Sequence, residues 1–71
     1  NNLLKNNVLN GTLEYAFYFG SVKVAMTVYA LMKEKKIKVN LNLNVVLEAI
    51  CINGDTYALD FLKKIKYQDL S

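Results

Sequence analysis

Few side chains in this chain can serve as acid, base or nucleophile. It has no histidine, which removes the usual general base and the imidazole metal ligand. Its one cysteine, Cys51, cannot build a thiolate cage alone and sits in an apolar run, where a buried, reduced thiol is expected. Glu14 and Glu48 occupy equivalent places in two similar stretches, which suits a helix-surface role in each better than convergence on one catalytic centre. There is no glycine-rich phosphate loop. The expectation is a protein without catalytic residues, metal site or cofactor. What does recur is asparagine: Asn6 and Asn10 in the first stretch are answered at the same interval by Asn40 and Asn44 in the second. A carboxamide presents both a donor and an acceptor, so such a column can recognise a polar edge. Asparagine is also a favoured helix N-cap, and that explanation stands beside the first.

The elements that must position these residues are helices. Leu9, Leu13, Ala16 and Phe17 follow the spacing of a buried helix face and predict a first helix over 8–19, widened by Tyr15, Tyr18 and Phe19 into a helix packed on two sides. These aromatics are expected to pack between helices. Gly20 supplies a left-handed stop and Ser21 an N-cap. A second helix over 22–35 follows, with Val22, Ala25, Met26, Tyr29 and Met32 on one face and Val24, Val28 and Leu31 on another. Lys33, Lys35 and Lys36 suit the negative end of its dipole. Residues 36–42 alternate apolar and polar in the manner of a strand. Asn40 and Asn42 are half of their polar members, and strands disfavour asparagine, so a loop entering a helix is expected. A third helix over 43–52 places Leu43, Val46, Leu47 and Ile50 on one face. Asn53 and Gly54 close it, and Asp55 or Thr56 caps a fourth in which Ala58, Phe61, Leu62 and Ile65 point inward. The chain closes on a polar 66–71.

Composition narrows the class. At 71 residues and 54% apolar with 21% charged, the chain is one small domain that packs, yet its core is marginal by itself. The net charge of +3 comes from nine lysines, mostly near predicted helix ends, and is compatible with a polyanionic partner. Residues 12–32 approach the length of a membrane span, but Glu14 and Lys23 interrupt them, and a charge near mid-membrane costs about 2.5 kcal/mol or more. No membrane span is expected.

A single displacement of the sequence on itself superposes Asn6, Leu9, Asn10, Leu13, Glu14 and Gly20 on Asn40, Leu43, Asn44, Leu47, Glu48 and Gly54. A period of this size implies an all-α solenoid of helix-turn-helix repeats, with about four helices in two antiparallel hairpins. The division expected is 1–7 as the end of a preceding repeat or a linker, 8–39 as the first hairpin repeat and 40–71 as the second. Two units are fewer than such arrays usually need, and the sequence has no initiator methionine, so a piece of a longer protein is expected.

From Gly20 onward the chain resembles a pentatricopeptide repeat. The resemblance rests on Gly20, Ser21, Val22, Ala25, Met26, Tyr29, Met32, Lys33, Glu34, Lys35, Ile37 and Lys38, continued by Leu47, Cys51, Gly54, Ala58, Leu59, Phe61, Leu62 and Ile65. Lys36 stands where the family usually has glycine and Val39 where it has proline, and the spacing from Val39 to Gly54 is one residue short. The resemblance implies a single-stranded-RNA-binding protein of mitochondria, or of plastids, acting in transcript stability, processing or translation, including as a ribosome-associated subunit. Its partners would be RNA and either neighbouring repeats or a larger ribonucleoprotein assembly. It further implies that Asn44 and Asn40, with Asn10 and Asn6 one unit earlier, hydrogen-bond base edges. A branched apolar wedge between bases would come from Asn7 or Val8, and from Leu41 or Asn42. The alternative class is a protein-protein scaffold of ankyrin-like or other helical repeats without RNA binding. A membrane-associated helical subunit is a third.

Overall fold

The computed structural model describes residues 2–19 and 21–66. Within them the chain forms four helices: α1 (Asn2–Tyr18), α2 (Val22–Glu34), α3 (Leu43–Asn53) and α4 (Thr56–Ile65). No strand occurs among the described residues. The left-handed role expected of Gly20, and the polar tail beyond Lys66, lie outside them.

Both boundaries of α2 and of α3, and the start of α4, have a local cause. Ser21 and Asp55 cap α2 and α4 from extended backbone, Ser21 Oγ accepting the Val24 N–H at 3.3 Å and Asp55 Oδ1 the Ala58 N–H at 3.1 Å. Asn42 does the same for α3 through the Val45 N–H. Gly54, at φ +65°, ends α3 in the left-handed region that glycine occupies without steric cost. The end of α2 is less conventional. Lys36 takes φ +58°, its N–H bonds to Lys33 O at 3.1 Å, and the Ile37 N–H bonds to Met32 O at 2.8 Å. This pair of bonds is a Schellman stop, built on a lysine where glycine would be unstrained.

The first helix begins at Asn2, well before the apolar periodicity starts at Val8. Asparagine is a weak helix former, so nothing in that stretch announces a helix. The spacing argument starts where burial starts.

The helices pair as two antiparallel hairpins lying side by side: α1 packs on α2 and on α3, α2 on α4, and α3 on α4. The body measures 36 × 20 × 20 Å. Its core is carried by Leu13, Phe17, Met32, Val39, Val46 and Ile65, all fully buried. The segment 37–42 is an extended strap between the hairpins. Its alternation has a direct meaning: Val39 and Leu41 are buried and Ile37 half-buried, while Lys38, Asn40 and Asn42 are exposed.

Several expected faces are only partly buried. Leu13, Ala16 and Phe17 are inside, but Tyr15, Tyr18 and Phe19 are exposed, because α1 is covered by α2 and α3 on adjacent sides and by nothing opposite among the described residues. In α2, Ala25, Val28 and Met32 are buried whereas Val24, Met26 and Leu31 are exposed. Leu47 is exposed too, and so is Cys51, contrary to the expectation of a buried thiol: Ile50 holds the inner position and the next residue turns away. Phe61 meets the rings of Phe17 at 6.0 Å and Tyr29 at 5.6 Å, joining both hairpins.

Candidate nucleic-acid interface

The recurring asparagines divide into different environments. Asn10 is the one buried polar residue among those described, and its carboxamide is taken up by backbone. Its Nδ2 donates to Asn6 O at 2.8 Å and to Lys38 O at 3.0 Å, and its Oδ1 accepts the Asn40 N–H at 2.6 Å. One side chain thus ties the strap to α1 on both sides of Val39. Asn6 and Asn40 are brought together through it, Asn6 half-buried and Asn40 with its side chain exposed. Asn44 stands apart in the first turn of α3 and is exposed. Of the wedge candidates, Asn7, Val8 and Asn42 are exposed and Leu41 is buried, and the Asn42 side chain caps α3.

The lysines are grouped more tightly than their spacing suggests. Antiparallel hairpins bring the start of α1, the ends of α2 and α4, and the strap to one end of the molecule. Eight of the nine lysines fall there, at 5, 33, 35, 36, 38, 63, 64 and 66, with Lys23 at the other end. Lys5, Lys35 and Lys36 line a recess of about 330 Å³ together with Asn6 and Ile37. A second recess, of about 360 Å³, shares Lys36 and Ile37 and adds Lys33 and Lys38. Lys33 Nζ lies 5.9 Å from the centre of the Tyr29 ring. Cations close together around a concave surface attract a chain of phosphates, and an exposed carboxamide beside them can contact a base.

A feature that sequence reasoning did not find is an apolar groove of about 370 Å³ at the far end of α1, lined by Gly11, Glu14, Tyr15, Tyr18, Phe19 and Val45. Tyr15 and Phe19 pack over it with ring centres 4.3 Å apart. The signal was present in the crowding of Tyr15, Phe17, Tyr18 and Phe19, more aromatics than the single buried stripe that Phe17 fills can take. Among the described residues no group of three or more histidines, cysteines or carboxylates is placed to hold a metal ion. No helix among them is long and apolar enough to cross a membrane. No family model matches the chain, and comparisons with curated proteins and with solved structures found no match.

Proposed function

We propose that this chain is two units of an α-solenoid that binds single-stranded RNA, with the strap end as its contact surface. The carrying observation is the gathering of eight lysines at that end, five of them lining two recesses, one of which Asn6 also lines, with the exposed Asn40 on the same strap. In this reading the lysines hold phosphates, and Asn40 and Asn44 offer their amides to bases. Asn10 is a positioning residue that fixes the strap carrying Asn40. The resemblance to pentatricopeptide repeats adds an organellar setting, mitochondrial or plastid, and a task in transcript stability, processing or translation, including within a ribosome-associated assembly.

The test is binding of fluorescent RNA oligonucleotides by anisotropy across a salt series. Affinity should fall with salt, and Lys35→Gln, Lys36→Gln and Lys38→Gln should each flatten the logarithmic slope by about 0.7 for every phosphate the lysine neutralises. Asn44→Ala should change which base is preferred while leaving that slope intact. Salt-independent binding, or no binding, would remove the RNA reading. The scaffold alternative is supported by the exposed apolar residues of the outer helix faces. It requires that those residues, and not the lysines, set the affinity for a partner.

A further inference from the structure

Comparing burial at equivalent positions of the two hairpins exposes a regular asymmetry. Ala16 and Ile50 are both buried, as are Val28 and Leu62, so these pairs form the seam inside each hairpin. Asn10, Leu13 and Phe17 are buried in α1, but their counterparts in α3, Asn44, Leu47 and Cys51, are exposed. The reverse holds on another stripe: Val46, Ala49, Ala58 and Ile65 are buried, and their counterparts Thr12, Tyr15, Val24 and Leu31 are exposed. Asn10, Leu13 and Phe17 mark the side that the first hairpin turns toward the second. Phe17 meets Phe61 there, and the Asn10 amide holds the strap. Val46, Ala49, Ala58 and Ile65 mark the side that the second hairpin turns toward the first. Each hairpin therefore leaves open, on its outward side, the positions that the other hairpin uses inward.

We infer that a second copy of this chain docks head to tail, the outer face of its first hairpin (Thr12, Tyr15, Val24, Leu31) seating on the outer face of the second hairpin (Leu47, Cys51). The internal seam is the template for this contact. Both halves of a self-complementary pair are present on one molecule, at opposite ends of the stack. The face on the first hairpin is strongly apolar, with Tyr15 and Phe19 about two-thirds exposed. In the docked pair, Leu47 and Cys51 take the places of Leu13 and Phe17, with Asn44 bordering them on the strap side. The contact uses different patches on the two copies, so it does not close and can extend into a stack. Lys66, the exposed counterpart of the buried Met32, stands at the strap-end edge of the second hairpin's outer face.

Sedimentation velocity of the 71-residue chain tests it, with far-UV circular dichroism to verify that each variant is folded. The wild type should gain mass with concentration. Tyr15→Glu and Leu47→Glu should each sediment as monomers, since every contact needs one face of each kind. Mixed together they should form a heterodimer and nothing larger, because each retains the face the other lacks. Cys51→Arg should behave as Leu47→Glu does, at another exposed position. A wild type that stays monomeric up to millimolar concentration overturns the inference. So does association that survives both Glu substitutions, or a dimer that either one abolishes and mixing fails to restore.

Discussion

Asn10 shows how one side chain can be conspicuous in a sequence for a reason other than its work. Its pairing with Asn44 across the repeat marks it out, and the amide chemistry suited to a base edge is the same chemistry that suits a backbone clamp. The clamp depends on where the strap runs, a meeting of chain segments far apart in sequence that no local spacing encodes. Replacing Asn10 by alanine leaves the Lys38 carbonyl and the Asn40 N–H without this partner in a partly buried place. The expected loss is about 1–3 kcal/mol, read from urea denaturation. Faster hydrogen exchange at the Asn40 amide should accompany it. Asn44→Ala, by contrast, should be nearly neutral for stability because the side chain is exposed. Equal losses at the two positions would contradict the division between clamp and surface residue. Cys51 is a second lesson at this scale. Its neighbours Ile50 and Ile52 suggest an apolar interior, yet successive helical positions turn by about 100°, so that Ile50 alone of the three is buried.

Among the elements, the helices were legible from periodicity and caps, and the strap from its asparagines. Ser21, Asn42 and Asp55 behave as the N-caps their types suggest, and Gly54 as the left-handed stop. The N-terminal third of α1 was not legible, because a polar, asparagine-rich stretch carries no stripe. The stop at Lys36 was legible only as a departure, a lysine where the resembled family has glycine. Its positive φ supplies a physical reason for glycine there. An L-residue in the left-handed region carries a cost of about 1–2 kcal/mol, partly offset in glycine by the greater freedom of its unfolded chain. Lys36→Gly should therefore raise stability by about 0.5–1 kcal/mol, a few degrees in Tm for a domain of this size by calorimetry. Under the proposed RNA reading it should also weaken that binding, since Lys36 borders both basic recesses. The two effects have opposite signs, so a general loss of folding cannot mimic them.

For the whole molecule, two properties emerge from stacking that no single helix carries. Antiparallel pairing sorts eight of the nine lysines to one end, and exposed apolar stripes fall on the two outer sides. The all-helical class and the hairpin pairing followed from the sequence, whereas the rotation of the buried stripe between equivalent helices did not. That rotation arises because each hairpin is covered from one side only, the first by the second and the second by the first. A domain this small has a core of marginal stability, and any contact made only by the folded chain adds to it by mass action. If the outer faces associate, a free concentration roughly a hundredfold above Kd contributes about 2.7 kcal/mol. The melting temperature of the wild type should then climb with protein concentration in differential scanning calorimetry. That of Tyr15→Glu should stay constant and match the dilute wild type, since the substituted position is exposed and takes no part in the core. Adding Leu47→Glu chains to Tyr15→Glu chains should restore part of the rise, limited to the single contact that pair can form. A wild-type melting temperature independent of concentration would mean that the outer stripes do not bind each other, and that the two hairpins alone hold the fold.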